Sequence, residues 1–175
     1  YFVEIGQPSR HLIISRRQNY HGSTLGVLAI SGNRQRRDIF DTVLNSGEFV
    51  SPCYAYRNRL SHESDAEYVA RLALELEQKI LTLGPARVAA FVAETVVGST
   101  SGAVPPQAGY FKAIQAVCKR HGVLLILDEV MCGLGRTGHF FACQEDDVRP
   151  DIITLGKGLA AGYQPISAML VTEAI

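Results

Sequence analysis

The chain predicts an α/β fold, a mostly parallel sheet flanked by helices, on three observations. Short apolar runs of strand length recur at residues 11–15 (HLIIS), 87–94 (RVAAFVAE), 123–127 (VLLIL), 151–155 (DIITL) and 166–171 (ISAMLV). Between several of them lie longer segments whose apolar residues return at helical spacing. The runs are also apolar nearly throughout rather than alternating, as expected of parallel strands covered on both faces by crossover helices.

Taken in order, residues 1–6 (YFVEIG) read as the tail of an amphipathic helix closed by Gly6. Residues 11–15 form the first strand, and residues 22–30 (GSTLGVLAI) a small-residue helix packed closely on its neighbours. Residues 32–62, rich in Arg, Asn, Ser and Tyr, hold no sustained period and read as a long irregular connection. Ser64-Asp-Ala-Glu67 is a capping box, and Val69, Leu72, Leu76 and Ile80 follow on one helical face up to Gly84-Pro85. A strand then ends at Glu94. Residues 108–120 form a helix with Tyr110, Ile114 and Val117 on one side, stopping at His121-Gly122, and the next strand runs into Asp128. Two further strands follow Pro150 and precede the last residues, VTEAI, where a strand is handing over to something else; both ends read as those of a piece of a longer protein.

Composition narrows the function. With 175 residues and 47% apolar content, the chain can bury a core of ordinary size as one domain. Seventeen Lys and Arg balance seventeen Asp and Glu with no basic stripe, so neither nucleic acid nor an anionic membrane is an expected partner. Cys53, Cys118, Cys132 and Cys143 make no C-x-x-C pair, which fits a reducing compartment, and each reads as a small hydrophobe. No signal peptide is evident and no apolar run approaches the ~20 residues of a membrane span. The expectation is a soluble cytoplasmic or organelle-matrix protein.

In sheets of this kind ligands bind beyond the carboxyl ends of the strands. Glu94 and Asp128 stand at two such ends, and Lys157 follows two residues after a third. The segment LLILDEVMCGLGRTG (124–138) contains Gly133-x-Gly135-x-x-Gly138, a literal dinucleotide-binding pattern. Its context is wrong: residues 139–147 carry little helical period, and the acid precedes the glycines instead of following them. Gly156-Lys157 fails as a phosphate loop because Asp151 and Gly158 stand where Gly and Ser or Thr are needed. Another reading pairs one carboxylate with one lysine. Pyridoxal phosphate takes a lysine amine in a Schiff base and an acid that keeps its pyridine nitrogen protonated, so that the ring accepts electrons from a substrate carbanion. Asp128 and Lys157 suit those roles, and Gly156 and Gly158 leave the lysine room to move. Taken singly, Asp128 is as well explained as a turn cap and Lys157 as a solvated loop residue.

Four ordered blocks, AETVVG (93–98), VPPQAGY (104–110), LDEVMCGLGRTG (127–138) and RPDIITLGKG (149–158), closely resemble the class III (omega-type) pyridoxal-phosphate-dependent aminotransferases. Tyr20-His-Gly22 resembles that family's aromatic-His-Gly element. The resemblance implies a fold type I large domain, of which residues 1–175 are the central part. The family's N-terminal segment with its phosphate-binding loop and its C-terminal small domain would lie outside. It implies Lys157 as the Schiff-base lysine, Asp128 as partner of the pyridine nitrogen, and Val130 and Tyr20 on opposite faces of the ring. Glu94 would lie near the ring edge, His21 would orient local backbone, and Met131 would stand near the ring hydroxyl. The implied activity is ping-pong transfer of an amino group from an amine or ω-amino acid to an oxo acid, by a homodimer with active sites at its interface. Met131 stands where ornithine- and γ-aminobutyrate-type members carry Gln, Ser99 where they carry an acid, and Thr95 where they carry Pro. These departures lean toward the amine- or ω-amino-acid:pyruvate side of the family. Two other readings remain: a truncated, catalytically silent relative, and a dinucleotide-binding oxidoreductase module.

Overall fold

The computed structural model describes all 175 residues. Six strands form one sheet: β1 (Leu12–Arg16), β2 (Glu48–Val50), β3 (Val88–Glu94), β4 (Leu124–Asp128), β5 (Ile152–Leu155) and β6 (Ala168–Val171), in the order β2-β1-β3-β4-β5-β6. All neighbours are parallel except β5 and β6. The α/β expectation thus holds, with one antiparallel edge.

Two helices carry the packing. Helix α4 (Asp65–Leu83) begins at the predicted capping box: the Glu67 amide donates to Ser64 Oγ (3.3 Å), and the Ser64 amide donates to Glu67 Oε2 (2.8 Å). Gly84, at φ +88°, ends it. Helix α5 (Tyr110–His121) stops at Gly122, whose left-handed φ of +62° a side chain would strain. Leu72, Leu76 and Ile80 of α4 join Tyr110, Ile114 and Val117 of α5 in one core against Ile14, Phe91, Ala93, Leu125, Leu127, Ile153 and Leu155. These strand residues alternate along their strands, so both helices lie on one sheet face.

That arrangement corrects the expectation of a sheet buried on both faces. Leu124, Ile126 and Asp128 of β4, on the other face, are only half-buried, and β6 exposes Met169, Leu170 and Val171. The second face is partly lined by the segment following β1, and there the site lies.

Residues 32–62 are more ordered than expected. They contain the short helices α2 (Arg34–Arg37) and α3 (Ala55–Asn58), a 3-10 turn (Asp38–Phe40) and the edge strand β2. Three residues pairing with β1 suffice for a strand but give no period to read. The expected helix over residues 22–30 shrinks to α1 (Leu25–Ala29). Residues 1–6 form turns ending at Gly6 (φ +75°) rather than a helix. No helix is long and apolar enough to cross a membrane.

Candidate active site

The pairing of β3 with β4 sets Glu94 opposite Asp128, and the pairing of β4 with β5 sets Asp128 opposite Thr154. Because side chains alternate along a strand, Glu94 and Asp128 share one face while Glu129, the next residue, turns to the helix face. The two adjacent acids therefore serve different neighbourhoods.

Glu129, 1% exposed, is wholly engaged. Its Oε1 accepts the Cys143 amide (2.8 Å) and the Thr95 hydroxyl (3.0 Å), and its Oε2 accepts the Ala142 amide (2.7 Å). It accepts from the first two amides of the 3-10 helix Ala142–Asp146, a structural part for this acid. Glu94 is engaged as well. Its Oε1 accepts the Tyr20 amide (2.9 Å) and its Oε2 the Gly98 amide (2.8 Å), so it ties the segment after β1 to the turn after β3.

Asp128 is different. One oxygen accepts the Val130 amide (3.0 Å) and the other lies 2.8 Å from His21 Nδ1. The His21 side chain is 4% exposed and that of Asp128 12%, so the pair is desolvated except at one opening. Each carboxylate oxygen has two lone pairs, and one donor apiece leaves acceptor capacity at that opening.

Lys157 lies on the same carboxyl edge, three residues beyond the partner of Asp128. It is exposed and opens the 3-10 turn Lys157–Ala160 at φ +41°, a conformation non-glycine residues rarely adopt and one found disproportionately at functional positions. Gly156 before it is buried against Val130, whose Cγ1 would stand 3.3 Å from any added Cβ. The lysine is thus brought close to the residue expected beneath a cofactor ring. Tyr20 is half-buried; its hydroxyl pairs with Ser23 Oγ (2.6 Å) and its ring carries the Arg36 guanidinium 4.3 Å from its centroid. Met131 is 40% exposed and fills the space over Gly98, where a Cβ would fall 2.4 Å from its sulfur.

A ring with a basic nitrogen fits this set: an ionisable acid with free acceptor capacity, a half-buried aliphatic and a half-buried aromatic, and an exposed amine on the neighbouring strand end. Nearby thiols do not compete as nucleophiles. Burial pushes Cys132 up to about 11, and burial, with the Glu129 charge behind it, pushes Cys143 up to about 12. A cavity of about 1110 Å³ lies elsewhere, along the β2 edge. Its charges are largely spent on each other, in Arg34–Asp38, Arg37–Asp41 and Lys79–Glu48 pairs, and it contains neither Asp128 nor Lys157.

Of the buried polar residues that were not foreseen, Arg16 and Asn19 lie against the site residues. Arg16, 1% exposed at the end of β1, donates to the Glu94 carbonyl and sets its guanidinium 5.6 Å from the rings of Tyr110 and Phe111. Asn19 is fully buried beside His21. A charge directly after an apolar run was the only hint of the first; the second left none.

The profile of the aminotransferase class-III family matches residues 1–175. An uncharacterized aminotransferase of Schizosaccharomyces pombe is 48% identical over the whole chain, and gamma aminobutyrate transaminase 2 of Solanum lycopersicum is 43% identical over 98% of it. The omega transaminase of Pseudomonas jessenii, solved in complex with PMP, superposes over 98% of the chain with a TM-score of 0.92 at 40% identity. The chain spans 37–38% of the length of each of these three proteins. Its sheet is that of the fold type I transaminases, and by sequence and fold alike the chain belongs to the class-III aminotransferase family.

Proposed function

We propose that the protein is a pyridoxal-phosphate-dependent aminotransferase that moves an amino group from an amine or ω-amino acid to an oxo acid, with Lys157 and Asp128 as its catalytic residues. The observation that carries this reading is the Asp128 carboxylate, oriented by His21 and Val130, on the strand next to the one that delivers Lys157. When bound, the cofactor supplies an aldehyde that condenses with amines and a protonated ring that withdraws electrons from the adjoining carbon.

The chain's residues do the rest. Asp128 holds the proton on the pyridine nitrogen, which keeps the ring an effective electron sink. Lys157 Nζ anchors the cofactor at rest. Once free, the same amine would serve as the base for the proton of the amine-bearing carbon. Val130 and Tyr20 would hold the ring. Glu94, with both oxygens on backbone amides, fixes the Tyr20 segment against the sheet. Release of the carbonyl product before the oxo acid enters gives ping-pong kinetics. Met131 in place of a hydrogen-bonding residue, and Ser99 in place of an acid, favour amine or ω-amino-acid donors. The names of the γ-aminobutyrate and omega transaminase relatives support that class.

We assign residues 1–175 to the central part of the large domain of a homodimer with active sites at its interface. The phosphate grip and the small domain belong to other parts of the polypeptide. The four free, buried cysteines fit a reducing compartment.

The test is to add pyridoxal phosphate to the intact protein and look for a visible band that borohydride fixes on Lys157. A band lost in Lys157→Ala upholds the proposal. No band points to a silent relative, and no band with nucleotide-dependent protection from unfolding points to the oxidoreductase reading.

A further inference from the structure

His21 meets Asp128 through one ring nitrogen, and what matters is the other. Its Nε2 lies 2.6 Å from Asn19 Nδ2. The assignment of an Asn side chain rests on its partners, and here they decide it. The Gly32 amide, which can only donate, points at the other end of the Asn19 side chain at 2.5 Å, so that end is the oxygen. The amine end then faces His21, and since it can only donate, Nε2 must accept. The ring proton therefore sits on Nδ1 and points at Asp128.

The surroundings leave Asn19 little freedom. It has no exposed surface, Gln18 before it is locked at φ +63°, and the Thr100 hydroxyl donates to the Gln18 carbonyl (2.5 Å). Gly32 lies so close to β1 that an added Cβ would fall 2.2 Å from the Arg16 carbonyl oxygen. The His21 backbone is held too, its amide donating to Ser31 Oγ (2.9 Å), which donates to the Val27 carbonyl (2.8 Å).

We propose that Asn19 is a positioning residue that keeps His21 a neutral Nδ1–H donor, so that Asp128 offers an uncompensated negative charge. The inference rests on the aminotransferase reading. A doubly protonated His21 would orient Asp128 equally well but cancel its charge, and the grip on the pyridine proton would weaken. A charge at such range shifts a proton equilibrium by about tenfold to a thousandfold. A neutral imidazole orients without cancelling, and the Asn19 amine blocks the nitrogen where a second proton would bind.

The test uses ring-¹⁵N-labelled histidine in the intact protein at neutral pH, free of cofactor. Wild type is expected to show His21 with Nδ1 protonated and Nε2 bare. Asn19→Asp keeps the acceptor for Gly32 but turns the donor facing His21 into an acceptor, so both ring nitrogens should then carry protons. With cofactor, this variant should retain the borohydride adduct on Lys157, keep its amine KM within about twofold and lose about tenfold or more in kcat. A wild-type ring protonated on Nε2, or an Asn19→Asp ring still bare there, overturns the inference. Absence of the Lys157 adduct in wild type would overturn the aminotransferase reading and leave the tautomer result standing.

Discussion

Replacing Glu129 by Gln and Asp128 by Asn makes the same chemical change at adjacent positions and should have different consequences, the first chiefly for stability and the second chiefly for activity. Glu129 accepts from three donors, two on Oε1 and one on Oε2. The amide of Glu129→Gln keeps its oxygen where Thr95 and Cys143 donate, which sets its NH2 against the Ala142 amide, donor facing donor in a site 1% exposed. Two buried donors left unsatisfied cost about 1–3 kcal/mol each, so about 2–6 kcal/mol is expected. With a urea slope of about 2–3 kcal/mol/M, the unfolding midpoint should fall by roughly 0.7–3 M. In Asp128→Asn, the amide oxygen can keep only one of the two donors, the Val130 amide or the His21 Nδ1–H, and the NH2 faces the other in a side chain 12% exposed, so about 1–3 kcal/mol should be lost, less than in Glu129→Gln. Activity, by contrast, should fall roughly a hundredfold or more while the cofactor stays bound. Urea unfolding with transaminase assays on both variants checks this. Wild-type stability in Glu129→Gln would refute the hydrogen-bond accounting, and full transamination by Asp128→Asn would refute the site.

Three further outcomes are expected. Gly32→Ala should cost more than about 3 kcal/mol, because the new methyl meets backbone atoms of Arg16 and Arg17 at 2.2–2.9 Å and backbone cannot rotate aside; calorimetry of the variant measures it. Ser64→Ala should cost about 1 kcal/mol by removing the cap of α4, with faster amide exchange at Glu67 as its local signature. The paired hydrogen bonds from Arg71 hold the Glu63 carboxyl at about 2 against a usual 4.5, so its contribution to stability is complete above about 4.5 and is lost as pH falls towards 2. Titration of Glu63 by NMR should move up toward the usual value in Arg71→Met, and an unmoved titration would refute the assignment.

Where the sequence carried a local cause, it was legible. The capping box and a clean 3.6-residue stripe marked α4 at both ends, and apolar runs marked β3, β4 and β5. Strand β2 was not legible because only Val50 of its three residues is buried, and its partner lies more than thirty residues away. The open second face of the sheet could not be read either, since nothing in an apolar run tells which neighbours lie within this chain. At the site, strand-end position singled out Asp128 and Lys157. The His21–Asp128 bond joins residues 107 apart, and Asn19 acts only through the fold that buries it. Glu129 stands next to Asp128 in the sequence, and the side-chain alternation that separates the two became clear only with the packing on both sides of β4.

That alternation also sets how β4 tolerates insertion and deletion. Adding or removing one residue before Asp128 would turn Asp128 to the helix face, stranding its carboxylate among core side chains and taking it from His21. A change of two residues would restore the order. Strand length here is in effect a parity check, and a library of β4 length variants should separate into folded even changes and lost odd ones.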